Sequence, residues 1–138
     1  MYLPLGNRNS VLWFLTISLI FSSFHRTEDA AQDMFSKVGS SIGIGNASEV
    51  VKYCYSSVEL ETPGSKGIFS QSQAEQILRR FFDKHPPAGF ELRHQGYSST
   101  GSKFAVGNYT DTGDETFRVS IFAKKNEGIY QIHELRFE

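Results

Sequence analysis

The sequence predicts an α+β domain in which one curved antiparallel sheet wraps around helices. Three observations lead there. Helical spacing of apolar residues is confined to the chain before His85, alternating spacing fills nearly everything after Phe90, and the breaks between alternating stretches are short and polar. Short connections imply an antiparallel meander, and its apolar face must be covered by the helices, the only cover on offer.

Each element follows from its residues. Gln32 to Ile42 carries Met34, Phe35, Val38 and Ile42 on one helical stripe, ended by Gly43 and Gly45. Asn46 followed by Glu49 reads as a capping box opening a short second helix through Tyr53 or Tyr55, with Val50, Val51 and Cys54 inward. From Ser57 to Thr62, Val58 and Leu60 alternate with Glu59 and Glu61, which marks a half-exposed strand. Pro63-Gly64-Ser65 is turn chemistry, and Lys66–Ser70 returns to complete a hairpin. Ser70 with Gln73, or Ser72 with Glu75, then caps a third helix whose inner face is Ala74, Ile77, Leu78, Phe81 and Phe82. His85-Pro86-Pro87 stops it, because proline has no N–H to donate and restrains the residue before it.

The remaining strands are Phe90–Tyr97, Lys103–Thr110, Thr116–Lys125 and Ile129–Phe137, parted by Ser98–Ser102, Asp111–Glu115 and Asn126–Gly128. Alternation puts Phe90, Leu92 and His94 on one face, and Phe117, Val119 and Ile121 together. It sets Phe104 and Val106 against Ala105 and Tyr109, and places His133 with Leu135 and Phe137. Tyr109, Phe122 and Tyr130 fall outside the core set. Ile132 breaks the phase of the last strand, which predicts an irregularity near Gln131.

Residues 1–31 read as a signal peptide or an N-terminal membrane anchor, and residues 32–138 as a single domain. Arg8 precedes the uncharged run Val11–Phe24, whose length suits a signal-peptide core. Ala30-Ala31 is the best small-residue pair for cleavage, and an uncleaved anchor is the competing reading. The chain is therefore expected to be exported, to the periplasm or cell envelope.

Composition narrows the function classes. Net charge is −1, and no basic stripe exists beyond Arg79-Arg80 and Lys124-Lys125, so nucleic acid is not an expected partner. The single cysteine, Cys54, excludes an intramolecular disulfide and any paired-cysteine zinc site. The 12 phenylalanines supply core volume or the lining of a cavity.

Several stretches carry a family resemblance: Gly45-Asn46-Ala47, Val58-Glu59-Leu60, Phe69-Ser70-Gln71-Ser72-Gln73-Ala74, Phe81-Phe82, Phe90 to Gly96, Val106-Gly107-Asn108-Tyr109 and Ile132 to Arg136. From about Gln32 to its end the chain resembles an exported domain-of-unknown-function family of Bacteroidetes-type bacteria. That resemblance implies a cone-shaped nuclear-transport-factor-two-like (cystatin-like) fold and implies no activity, since the fold hosts enzymes and inert modules alike.

The candidate ligand pocket is His94, His133, Phe81, Phe104, Phe117 and Tyr53, with the two histidines expected to meet inside the cone. Glu134 points away from His133 in an extended strand, so no metal is expected, and no cofactor. Glu59, Glu61, Asp83, Asp111, Asp114 and Glu115 all read as solvated, which leaves no buried carboxylate for isomerase-type chemistry. The expected function is a noncatalytic exported binding module for a small apolar ligand or an envelope protein. The alternatives are an isomerase- or dehydratase-like enzyme using His94, and a homodimer joined through Tyr109, Phe122 and Tyr130.

Overall fold

A computed structural model of the chain describes residues 26–138, with side chains described from Ala30 onward. The run Val11–Phe24, on which the signal or anchor reading rests, lies outside the described residues. Among those described, no helix is long and apolar enough to cross a membrane.

The elements run α1 (Arg26–Gly43), α2 (Ala47–Lys52), β1 (Cys54–Thr62), β2 (Ser65–Ser70), α3 (Gln71–Lys84), β3 (Pro87–Tyr97), β4 (Lys103–Asp111), β5 (Thr116–Asn126) and β6 (Ile129–Phe137). This is the order expected from periodicity. The Asn46 side chain accepts from the Glu49 N–H at the start of α2, and Ser70 forms a reciprocal capping box with Gln73 at the start of α3. Cys54 is buried as expected but opens β1 instead of closing α2. The reason is tertiary: α2 ends at Tyr53, whose carbonyl accepts from the Ile132 N–H at 2.8 Å and so starts sheet pairing.

The strands form one sheet in the order β2-β1-β6-β5-β4-β3. Every neighbouring pair is antiparallel except β1 with β6, which run parallel. That pairing joins the first strand to the last and sets Leu60 beside Leu135. The helices cover the concave face. Phe81 of α3 lies 4.7 Å from Phe137, 5.2 Å from Phe117 and 5.5 Å from Tyr109 between ring centroids, so aromatic side chains fill the cone at this level.

Two one-residue irregularities correct the expected phase. Pairing of β3 with β4 shifts between Leu92 and His94, so Leu92 stays on the inner side while His94 faces outward opposite Val106, exposed. Pairing of β5 with β6 shifts between Phe122 and Ala123. Ile132 and Leu135 are both buried there, which makes His133 the residue turned outward. The irregularity expected near Gln131 is real, but it displaces His133 and not Ile132.

The faces of β4 are also reversed. Ala105, Gly107 and Tyr109 point inward and are buried, while Phe104 and Val106 are half-buried on the outer face. Steric fit explains the choice. A Cβ at Gly107 would stand 2.4 Å from Phe90 Cζ and 2.5 Å from the Glu91 carbonyl oxygen, so the large Phe90 ring demands glycine diagonally across from it, at the position paired with Leu92. Outside, the Phe104 ring lies over Gly96 of the edge strand, within 3.0 Å of where a Cβ would be.

Candidate functional site

The six expected pocket residues do not gather in one place. Phe81 and Phe117 touch in the core, and Tyr53 caps α2, half-buried against that core. Phe104 lies outside, in register with Phe122 and 6.3 Å from it between ring centroids. His94 borders an open groove of about 350 Å³ between α1 and β3, with Phe35, Leu92 and Tyr97. His133 stacks on Tyr55 at 4.8 Å on the outer face. The two histidines thus never share a cavity.

The histidine that does meet carboxylates is His85, whose role in the sequence reading was only to end a helix. It is the C-cap residue of α3, held there by Pro86-Pro87 behind it. Its ring turns back against Phe81 (5.1 Å) and Phe117 (4.7 Å). Nδ1 stands 3.0 Å from Asp111 Oδ2 and 3.4 Å from Glu115 Oε2. The His85 and Asp111 side chains are only 12% and 7% exposed, against 60% for Glu115.

Asp111 is the correction to the expectation of no buried carboxylate. It ends β4, and its Oδ1 accepts from the N–H groups of Gly113 (2.8 Å) and Glu115 (2.9 Å), an aspartate turn that shapes the β4–β5 hairpin. The hydrogen bond from His85, then the one from the Glu115 N–H, hold its carboxyl below the usual carboxylate range. Two backbone contacts complete the junction. The Tyr109 hydroxyl donates to the His85 carbonyl, and the Thr112 N–H donates to the Pro86 carbonyl at 2.8 Å. Burial, and secondarily the Asp111 charge, push the Tyr109 phenol up to about 12, so it stays a donor.

Beside His85 opens a cleft of about 190 Å³ lined by Thr62, Ser65, Ile77, Arg80 and Lys84 among others. An imidazole aimed by a carboxylate can transfer a proton or bind a metal ion. His85, Asp111 and Glu115 are the group among the described residues with ligand atoms close enough for an ion, all within 4.8 Å of one another.

The outer face holds a second feature. Tyr55, His133, Phe122 and Phe104 are half-buried there, and Arg136 lies among Glu59, Glu61 and Glu134. Burial, then the charge of Lys124, lower the pKa of His133, and its Nε2 has no hydrogen-bond partner among the described residues.

A curved sheet closed over three helices with a filled cone is the nuclear-transport-factor-two-like, or cystatin-like, class of fold. Within it, residues 35–138 match the family described as a domain of unknown function, DUF4783, and the chain belongs to that family. It is similar to a DUF4783 family protein from Bacteroides ovatus at 30% identity and TM-score 0.67, covering 74% of this chain and 91% of that one. A DUF4783 family protein from Bacteroides uniformis is similar at 28% identity and TM-score 0.68, covering 75% and 94%. An uncharacterised cystatin fold protein from Novosphingobium aromaticivorans shares the fold at 12% identity and TM-score 0.57, covering 77% and 95%. No curated protein matches the chain.

Proposed function

We propose that this chain is a noncatalytic exported binding module whose partner is a protein of the cell envelope, met on the outer face of the sheet. The observation that carries this reading is the filled interior. Phe81, Phe82, Tyr109, Phe117 and Phe137 occupy the space an internal ligand would need, and all are buried. Displacing even one such ring forfeits roughly 1.5–3 kcal/mol of burial, so a small ligand inside the cone is disfavoured. The enzyme alternative is the weaker reading, since His94 is exposed on an edge strand beside an open groove.

The outer face, which no described element covers, has the make-up of a recognition surface. A groove of about 440 Å³ runs past Phe122 and His133, rimmed by Glu59, Lys124 and Glu134. Aromatic residues at the centre and charges at the rim are the usual anatomy of a protein contact. Export is supported by the run Val11–Phe24 behind Arg8.

The test is in-cell photo-crosslinking of the full chain in a Bacteroides host, with the photoreactive residue at Phe122 and, as control, at exposed Ile68 of β2. A discrete adduct with another protein from Phe122, absent from Ile68 and lost on Tyr55→Asp, is the expected result. An adduct only with a second copy of the chain would replace this reading with the homodimer. A bare chain together with a reproducible small-molecule mass in native mass spectrometry would restore the ligand version instead.

A further inference from the structure

We infer that His85, Asp111 and Glu115 form a binding site for a zinc-like divalent cation at the junction of α3 with the β4–β5 hairpin. The inference does not depend on the binding-module reading, since the junction lies apart from the outer-face groove.

Ligand type comes first. One imidazole nitrogen and two carboxylates suit a borderline cation such as zinc, which accepts nitrogen and oxygen donors at about 2.0–2.2 Å. Ligands at that radius in tetrahedral to octahedral geometry stand about 2.9–3.5 Å apart. The separations from His85 Nδ1, 3.0 Å to Asp111 and 3.4 Å to Glu115, fall inside this window; the two carboxylates lie within 4.8 Å of each other, so the exposed Glu115 would swing inward to close on the ion.

The aspartate turn places the Glu115 backbone beside Asp111, and the Glu115 side chain also closes on His85. The Nδ1–H is one donor and makes one good hydrogen bond, to Asp111, yet a second carboxylate converges on the same nitrogen. Two carboxylates around one N–H repel each other, whereas a cation in place of that proton satisfies both. Glu115 is 60% exposed and free to turn elsewhere, so its approach is not forced by packing.

The supports around the ligands are of the kind metal sites use. Asp111 Oδ1 is occupied by the Gly113 and Glu115 N–H groups, which leaves Oδ2 for the ion. The His85 ring is held against Phe81 and Phe117, and its backbone by the Tyr109 hydroxyl. Water would complete the coordination on the open side beside Glu115. On binding, the imidazole coordinates through the Nδ1 lone pair with its proton on Nε2; a neutral ring moves that proton from Nδ1 to Nε2, and an imidazolium releases its Nδ1 proton to solvent.

The experiment is calorimetric titration of the chelator-treated full chain with zinc chloride, with ion stoichiometry read by native mass spectrometry. One ion per chain is expected, weakened at least about tenfold by Glu115→Gln, a change at an exposed side chain that leaves the circular dichroism unchanged. Cobalt substitution should give a d–d spectrum that Glu115→Gln alters. Absence of zinc uptake at 100-fold excess, or uptake indifferent to both Glu115→Gln and a folded His85→Gln variant, overturns the site. Tighter binding of calcium than of zinc overturns the assignment of ion class.

Discussion

The Tyr109 hydroxyl donates to the backbone carbonyl of His85, joining the middle of the sheet to the last turn of α3. Tyr109 is fully buried, and its ring packs on Phe81 and Phe82 while its one polar atom reaches the helix end. A helix terminus leaves carbonyls without partners, and this hydroxyl supplies one. Tyr109→Phe keeps the ring and removes the donor, so it should cost about 1 kcal/mol. The expected thermal signature is a Tm lower by about 4–8 °C for a domain of this size. An unchanged Tm would mean that the carbonyl finds solvent or another donor.

Acid sensitivity should trace to Asp111. Its carboxyl titrates below its unfolded value because His85 and the turn N–H groups bind the charged form. A depressed carboxylate contributes stability that is complete above the unfolded pKa, near 4, and is lost as pH falls through the lower folded value. Urea unfolding between pH 2 and pH 7 should therefore show a steep acid limb in the natural chain. Asp111→Asn should be less stable at pH 7 and flatter below pH 4; superimposable acid limbs would remove Asp111 as the cause.

Gly107 and Gly89 form a matched pair of tests. A methyl group at Gly107 collides with Phe90 and with the Glu91 carbonyl, whereas one at Gly89 meets nothing within 4 Å. Gly107→Ala is expected to destabilise by about 1–3 kcal/mol or more through overpacking. Gly89→Ala should stay within about 0.5 kcal/mol. Chemical denaturation of the two variants side by side checks this, and equal losses would discount the Phe90 contact.

Cys54 should behave as a core atom and not as a nucleophile. Burial pushes its thiol up to about 12, and the thiol donates to the Val50 carbonyl, at 3.8 Å. At pH 8 an alkylating reagent should leave the native chain unmodified and label it only as denaturant opens the domain. Labelling of the native chain at the rate of a free peptide thiol would contradict the buried placement.

Much of the fold was legible in one dimension because it rests on local physics. The Asn46 and Ser70 caps, the Pro86-Pro87 stop, the Pro63-Gly64 turn and the apolar stripe of α3 each act within a few residues, and each is found where its pattern puts it. The meander of β3 to β6 followed from short polar turns for the same reason.

The site was another matter. His85 and Asp111 stand 26 residues apart, one read as a helix stop and the other as turn chemistry, and no spacing rule links them. His94 and His133 went to the wrong face because a single inserted residue reverses strand phase; nothing in the β3 segment announces its insertion, and the broken phase at Ile132 announces the one in β6 without showing that His133 is the residue displaced.

By itself, then, the sequence determined the elements, their order and the class of fold, since caps, turns and periodicities are settled between near neighbours. Tertiary structure alone decided the parallel β1–β6 pairing, the inward face of β4 and the meeting of His85 with Asp111. Those depend on which large side chain claims a volume first. Phe90 meets Gly107 through the β3–β4 pairing register, and Tyr109 lies beneath the end of α3 because the helix closes onto the sheet.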